Sequence, residues 1–148
     1  MRADEIYVDP SALARLYIHQ EGSREMAAWR AKVRGALPVT HHGRTEIVNA
    51  ICRAAFLGQL GAEALIEIIA DFNSDFASGH LRQVDILWRA ALNGAAELSQ
   101  RHTPKLGTRS LDVLHVACAL ELELRHFLTF DSRQQHLAAA AGLKLVRL

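Results

Sequence analysis

The sequence has few cysteines, no long apolar run and no excess of charge of either sign. Its two cysteines, Cys52 and Cys118, form no CxxC pair, which argues against a disulfide framework or a thiolate zinc site. We expect both to be buried as small apolar side chains in a reducing compartment. No apolar run approaches the ~18 residues that cross a bilayer, and the first residues lack the apolar core of a signal peptide. The composition therefore predicts a cytoplasmic protein without a membrane segment.

The charge balance excludes a broad electrostatic attraction for nucleic acid. Lys and Arg number 17 against 16 Asp and Glu, a formal net charge of +1, so any nucleic-acid contact must depend on a local basic patch. Half of the residues are apolar and 22% are charged, which excludes a disordered chain. With 148 residues and no linker or repeat, the sequence predicts a single domain over residues 1–148.

Short β-rich runs alternate with helical patterns along the chain. The expected strands are 6–8, 37–40, 81–84, 127–130 and 144–148. The expected helices are 11–18, 23–33, 45–57, 62–76, 85–100, 110–124 and 132–141. This alternation is typical of βαβ units and predicts an α/β fold, with a mainly parallel sheet covered by helices on both faces. In such sheets ligands bind at the carboxyl ends of the strands.

Four acidic residues are placed where this rule predicts a site. Asp9 ends the first strand, Glu46 opens the helix after the second, Asp112 lies in the first turn of a later helix, and Asp131 ends the fourth strand. Four carboxylates at one edge repel one another unless a cation neutralises them. Hard oxygen ligands favour Mg²⁺ or Mn²⁺ over Zn²⁺, and such an ion can activate water for attack on phosphorus. No Walker loop or GxSxG element suggests another chemistry.

Each acid also has a purely structural explanation. Asp9 and Asp131 can be helix N-caps, Asp112 can complement a helix dipole, and Glu46 can be a solvated surface residue. Asp85 is expected to be the N-cap of the fifth helix. Only the joint placement of the four acids favours a functional site.

Four segments carry a family resemblance, namely YVDPSALARLY, RTEIVNAICR, RSLDVLHVACALEL and FLTFDSRQQHLAAAAGLKLV. They resemble the motifs of PIN-domain ribonucleases, and within that family those of VapC-type toxins of toxin–antitoxin pairs. The resemblance implies a Mg²⁺- or Mn²⁺-dependent endoribonuclease with RNA as substrate. It also implies a three-layer α/β/α sandwich, a homodimer and a cognate antitoxin.

By position, the resemblance assigns the catalytic and metal-binding roles to Asp9, Glu46, Asp112 and Asp131. Ser11 and Thr129 match polar residues that support the first and last of these acids. Asp131 is followed by Ser132 and Arg133 rather than by a further acid. That departure leaves open whether one metal ion or two would bind.

Basic residues near the motifs are candidates for RNA contacts. Arg109, one helical turn before Asp112, can grip a phosphate or pair with a carboxylate, or be an ordinary surface arginine. His115 lies three residues after Asp112 on the same helix face. It is a candidate for RNA contact, and a hydrogen-bonded, partly buried structural histidine is favoured over a metal ligand at this position. The remaining arginine candidates are Arg15, Arg44, Arg53 and Arg133.

The adjacent residues His41 and His42 are expected in a loop before Glu46, where they can contact RNA. Side chains of adjacent residues point in different directions, which makes a poor shared metal site for the pair. A separate stripe on the fourth helix, Leu65, Ile68, Ile69 and Phe72, is broader than a small domain needs and suggests a dimer interface.

The main alternative function is a catalytically inactive PIN-like module that binds proteins. Intact acids at all four positions argue against it. A receiver-type phosphoacceptor needs an acidic pair after the first strand, and a haloacid-dehalogenase-like phosphatase needs Asp-x-Asp there. The segment Asp9-Pro10-Ser11 satisfies neither pattern.

Overall fold

The computed structural model describes residues 1–148. The five strands are β1 (Ile6–Val8), β2 (Leu37–Thr40), β3 (Leu81–Val84), β4 (His126–Leu128) and β5 (Lys144–Leu145). The seven α-helices are α1 (Pro10–Leu13), α2 (Ser23–Lys32), α3 (His41–Phe56), α4 (Ala62–Ala77), α5 (Trp88–Leu106), α6 (Ser110–Glu121) and α7 (Ser132–Ala140). Short 3-10 turns at Ala3–Glu5 and Ala14–Leu16 precede β1 and follow α1. The expected alternation of strands and helices is confirmed.

All strand pairs in the structure are parallel. Strand β4 pairs with β1 and with β5, while β2 pairs with β3 along its whole length. Strand β2 also contacts β1, and a parallel bridge between Arg2 and Arg34 joins the segments that precede them. Hydrogen bonds join β1, β4 and β5 into one sheet and β2 and β3 into a second, and because β2 lies beside β1 the strands are arranged side by side in the order β3-β2-β1-β4-β5. The carboxyl ends of β1 and β4 are adjacent, so the residues that follow them meet at one edge.

Two apolar cores lie on opposite faces of this sheet. Ile6 and Val8 of β1 belong to the core that helices α1 to α4 cover. Tyr7, between them, belongs with Phe127 of β4 to the core that α5, α6 and α7 cover. Successive side chains of a strand point to opposite faces, so a fully buried strand serves both cores. This arrangement confirms the predicted three-layer α/β/α sandwich.

Helix α3 begins four residues earlier than predicted, at His41 rather than Thr45. The Thr40 hydroxyl accepts a hydrogen bond from the Gly43 N–H at 3.0 Å, which is the usual N-cap interaction. The expected loop placement of His41 and His42 is therefore wrong, since both lie in the first helical turn. Glu46 is in the second turn of the helix and does not open it.

Helix α5 begins at Trp88 and extends to Leu106, later at both ends than predicted. Asp85 is not its N-cap, because its carboxylate instead accepts a hydrogen bond from His41 Nε2 at 3.0 Å. Pro104 lies inside the last turn, where the helix closes on Gly107 with a φ of +65°. Glycine adopts this left-handed conformation without steric cost.

Three further expectations need correction. Strands β4 and β5 end at Leu128 and Leu145, earlier than their apolar patterns suggested. Cys52 is exposed, and only Cys118 is buried. The apolar stripe of α4 packs largely on its own core: Phe72 is fully buried, and the other three residues of the stripe pack against the same cluster.

No α-helix is both long enough and apolar enough to cross a membrane.

Candidate active site

Asp9 is the most buried of the four predicted acids, with only 4% of its surface exposed. It follows β1 and caps α1 by accepting a hydrogen bond from the Ser11 N–H at 3.1 Å and a short one from the Ser11 hydroxyl. Its other oxygen accepts from Gln134 Nε2 at 3.0 Å. The carboxylate forms no salt bridge with any side chain. A buried carboxylate without a basic partner is one that a cation would stabilise.

Gln134 joins two of the predicted acids and was missed in the sequence. Its side chain is fully buried, and Nε2 donates to the Asp9 carboxylate and, at 3.2 Å, to the main-chain carbonyl of Asp112. Its Oε1 atom is buried without a hydrogen-bond partner. The available signal was its position three residues after Asp131, whose side chain caps the Gln134 N–H.

Asp112 is half-buried in the first turn of α6, and its pKa is raised. Burial is the largest cause, followed by the negative charges of Asp9 and Asp131, while the charges of His115 and Arg109 oppose the rise. Carboxylates that raise one another's pKa are close in space. Gln134 also makes a hydrogen bond to each of the three residues, so Asp9, Asp112 and Asp131 lie around one side chain at the edge where they were expected.

Asp131 is held by its neighbours in the turn after β4. Its N–H donates to the buried Thr129 hydroxyl at 3.1 Å, and its Oδ1 accepts from the Gln134 N–H at 2.8 Å as the cap of α7. The second carboxylate oxygen makes no hydrogen bond within the chain, and the residue is exposed. Asp131 can therefore cap α7 and still contribute to the site, because the capping hydrogen bond fixes the position of its second oxygen.

Glu46 is held by a chain of hydrogen bonds that runs through His115 to Tyr7. Both of its oxygens lie near His115 Nε2, at 3.0 and 3.2 Å, and His115 Nδ1 is 2.6 Å from the Tyr7 hydroxyl. Burial keeps the pKa of Tyr7 well above 10, so the phenol remains protonated. His115 is 1% exposed, which leaves it no surface for RNA. The structural alternative for His115 is therefore the correct one: it supports Glu46 rather than binding RNA.

His42, one turn before Glu46, packs on top of His115. The two imidazole rings stack with centroids 4.6 Å apart and an interplanar angle of 13°, and the Trp88 ring contacts His42 edge-on at 4.9 Å. Burial, with the positive charge of His115, lowers the pKa of His42 to about 4. The i, i+4 spacing puts His42 and Glu46 on one face of the helix. This spacing was the only signal in the sequence that His42 lies near Glu46.

Arg15 is the candidate arginine held most closely to the acids. It donates to the carbonyls of Ser11 and Glu21 at 2.6 and 2.8 Å, and its guanidinium stacks over the Phe130 ring at 4.1 Å. It shares a surface groove with Asp131. Burial lowers the pKa of Arg15, whereas the negative charge of Asp9 raises it. The Arg15 guanidinium is therefore a fixed positive charge near the carboxylates.

The other arginines differ in their relation to the site. Arg44 donates to Asn73 at 2.9 Å and packs over the Phe76 ring on α4; its place in the RNA-binding set stays a prediction. Arg109 acts on Asp112 through its charge. The exposed Arg133 reaches only the Gly107 carbonyl, at 3.4 Å. Glu46 and Arg53 line one groove of about 530 Å³.

Comparison with known proteins agrees with this arrangement. The model of the PIN domain family matches residues 6–140. The crystal structure of VapC20 from Mycobacterium tuberculosis, a Sarcin-Ricin loop cleaving toxin, superposes with a TM-score of 0.70 at 19% sequence identity, over 97% of this chain and 99% of that one. No curated protein matches the sequence significantly. Since the family model spans all but the two ends of the chain, the protein belongs to the PIN-domain family.

Proposed function

We propose that this chain is a divalent-metal-dependent endoribonuclease of the VapC type, formed by a single domain of residues 1–148. The catalytic and metal-binding residues would be Asp9, Glu46, Asp112 and Asp131. The observation that carries the proposal is the convergence of Asp9, Asp112 and Asp131 at the carboxyl ends of β1 and β4. There the pKa of Asp112 is raised by burial and by its two neighbours, and no basic side chain pairs with the buried Asp9.

The donor set fits a hard divalent cation. Asp9 and Asp131 are each fixed by backbone or amide donors, yet each ionised carboxylate has about four acceptor sites and so retains capacity for a metal. Oxygen ligands of this type suit Mg²⁺ or Mn²⁺. A bound ion would supply a polarised water and charge stabilisation for the leaving oxygen of a phosphodiester.

The remaining residues would act by orienting these groups. Ser11 and Gln134 hold the two oxygens of Asp9, and Thr129 holds the turn that carries Asp131. His115, itself held by Tyr7, restrains Glu46. Supporting partners of this kind are typically worth about 10- to 100-fold in metal affinity or activity.

Substrate binding would depend on local positive charge, since the net charge is only +1. The charge of Asp9 acts on Arg15 and that of Arg109 acts on Asp112, which makes these two arginines the best candidates for phosphate contacts. Arg133 is a further candidate because it is exposed near the start of α7. Such phosphate contacts would position the strand, while the acids would determine the cleavage chemistry.

The likeness to VapC20 supports a toxin role with RNA as substrate. We infer that the partners are a cognate antitoxin and a second copy of this chain, and that the protein acts in the cytoplasm. Overproduction of the wild type should arrest growth, and the Asp9→Asn variant should not. Co-expression of the adjacent reading frame should restore growth if that frame encodes the antitoxin.

The direct test uses purified protein free of antitoxin. Labelled structured RNA, with a sarcin–ricin stem-loop as one substrate, should be cleaved in Mg²⁺ or Mn²⁺ and left intact in EDTA. Asp9→Asn should be inactive, and Asp71→Asn, which changes an exposed residue on α4, should keep full activity. Equal cleavage by wild type and Asp9→Asn would identify a contaminant. No cleavage by any of them, with the fold intact, would favour the inactive interaction module.

A further inference from the structure

Phe130 is an exposed aromatic residue directly before the acid Asp131, and the proposed cleavage chemistry does not use it. It follows β4, and 36% of its surface is exposed. Its ring forms part of the wall of a groove of about 420 Å³, which Ser11, Arg15 and Asp131 also line. An exposed aromatic ring in the same groove as a proposed site residue is available to the substrate.

The Phe130 ring is held in place by two contacts. The Arg15 guanidinium stacks over it, with the central carbon 4.1 Å from the ring centroid. The ring also packs against Gly22, where a Cβ atom would lie only 2.6 Å from Cε1 and 2.8 Å from Cζ of Phe130. Gly22 has a φ of +87°, so both its backbone conformation and this close approach require glycine. A ring that is already fixed loses little conformational entropy when a ligand stacks on it.

Arg15 keeps part of its hydrogen-bonding capacity. Its Nε and Nη1 atoms donate to the carbonyls of Glu21 and Ser11, whereas Nη2 makes no hydrogen bond within the chain. No carboxylate forms an ion pair with the guanidinium. The free Nη2 can therefore donate to a phosphate oxygen of a ligand, beside a ring on which a base can stack.

The groove at Phe130 continues to the other side of the proposed site. A second groove, of about 530 Å³, contains Glu46 and Arg53. The two grooves share three wall residues, Ile18, Gln20 and Ala50. A strand lying along both would pass two of the proposed acids and meet one arginine in each groove. Proteins that bind single-stranded nucleic acid combine basic grooves with aromatic side chains on which bases stack.

We propose that Phe130 stacks against an unpaired base of the RNA substrate, in the nucleotide whose phosphate Arg15 contacts. The inference rests on the proposed ribonuclease function and names a residue that helps to select its substrate. Every base has a π-face, so the stack tolerates any sequence. A base inside a duplex must first unstack and unpair, which costs free energy, so Phe130 favours unpaired nucleotides. The groove shared with Asp131 favours the substrate over a protein partner as the occupant of this surface.

The test measures base stacking directly and does not require cleavage. Full-length Asp9→Asn protein in Mg²⁺ is titrated into a short oligouridylate that carries one 2-aminopurine, whose fluorescence falls when it stacks on an aromatic ring. We expect binding to quench the fluorescence. Adding Phe130→Leu should abolish the quenching and raise Kd about 5- to 150-fold, the range for loss of one base–aromatic stack.

Two further variants are the matched controls. Phe130→Tyr retains an aromatic ring and should keep both the quenching and the affinity. Leu120→Ala removes an apolar side chain of similar exposure, 39%, on α6, and it should bind like the Asp9→Asn parent. Should Phe130→Leu fail to fold by circular dichroism, Phe130→Met provides the same comparison with a more flexible side chain.

The salt dependence separates stacking on RNA from mere support of Arg15. Stacking displaces no counterion, so Phe130→Leu should leave the dependence of log affinity on log salt unchanged. Loss of the Arg15 contact would instead make that dependence shallower by about 0.7. A shallower slope in Phe130→Leu would mean that the ring only positions Arg15, and the proposal would be wrong.

The outcomes also distinguish this inference from the ribonuclease function. If the wild type cleaves RNA but binding causes no quenching, or Phe130→Leu binds RNA as tightly as its parent, the stacking proposal alone fails and the ring belongs to another interface. If no variant cleaves RNA but quenching depends on the aromatic ring, the stacking proposal stands and the ribonuclease function fails.

Discussion

The Gln134 side-chain amide donates a hydrogen bond to the Asp9 carboxylate at 3.0 Å, although 125 residues separate them. The same nitrogen donates to the Asp112 main-chain carbonyl. One buried amide thus sets the position of the first acid relative to α6 and α7. The geometry of the carboxylates therefore depends on the packing of the last helix.

Gln134→Leu should lower kcat/KM for RNA cleavage by about 10- to 100-fold, the usual effect of losing a supporting partner. The leucine fills similar space but cannot orient Asp9, so the fold should persist with a lower melting temperature. Gln100→Leu, an exposed change on α5, is the control and should keep wild-type activity. Unchanged kinetics in Gln134→Leu would show that Asp9 needs no support from α7.

Asp112→Asn should raise the melting temperature of the metal-free protein at neutral pH. The folded-state pKa of Asp112 is raised, so the folded protein binds its proton more tightly than the unfolded chain does. Stability is then lost as pH climbs from the unfolded pKa through the folded one. Asp112→Asn cannot ionise and therefore does not lose this stability. Its higher melting temperature should approach that of the wild type as the pH is lowered from the folded-state pKa of Asp112 to the unfolded one. Thermal melts in EDTA from pH 7.5 downwards test this.

Magnesium should reverse the order of the two melting temperatures, so that the wild type melts above Asp112→Asn. A ligand that binds only the folded state at a hundred times its Kd stabilises by about 2.7 kcal/mol, and this gain should belong mainly to the wild type. Equal Mg²⁺ shifts in the wild type and Asp112→Asn would exclude Asp112 from the metal site.

Much of the fold and of the acidic cluster could be read from the sequence. Strands β1, β2 and β3 have the predicted bounds, and β1 and β2 are buried along their whole length. The edge rule also placed Asp9, Asp112 and Asp131 correctly. The role of Gln134 could not be predicted from the sequence, because it depends on how α7 packs across the sheet and not on any local pattern.

The histidines show a second limit of sequence reasoning. His41 and His42 were expected in a loop because the helical apolar pattern begins only after them. The Thr40 cap instead starts the helix there, and this turns His42 towards His115. A four-residue error in one helix boundary therefore concealed the stacking of His42 on His115.

Arg15→Ala and Arg109→Ala should each raise KM for RNA with little change in kcat, since both are expected to contact phosphate. Each loss should also make the dependence of log affinity on log salt shallower by about 0.7, the contribution of one contact to a single strand. Arg24→Ala is the control, because Arg24 is an exposed arginine on α2 that belongs to none of the candidate sets. A fall in kcat alone, with an unchanged salt slope, would contradict a phosphate-binding role.

The predicted homodimer can be tested at the exposed apolar residues around the loop between α3 and α4. Phe56 is 87% exposed and Ile66 is 70% exposed, and both belong to α4 or its neighbour α3, where the interface is expected. We expect light scattering to give a dimer for the wild type and a monomer for Phe56→Glu or Ile66→Glu. Leu92→Glu, at another exposed site on α5, should remain dimeric. A monomeric wild type at micromolar concentration would refute the dimer.

The central claim is that the carboxylates hold a metal that directs water onto the RNA backbone, and the ends of the cleavage products test it most directly. Attack by water with a 3′-oxygen leaving group yields 5′-phosphate and 3′-hydroxyl ends, whereas attack by the RNA's own 2′-hydroxyl yields a 2′,3′-cyclic phosphate. The measurement is end-group analysis of RNA cut by the wild type and by Asp9→Asn, in Mg²⁺ and in EDTA. The account predicts 5′-phosphate products from the wild type in Mg²⁺ alone. Cyclic-phosphate products, or the same products from Asp9→Asn, would contradict it.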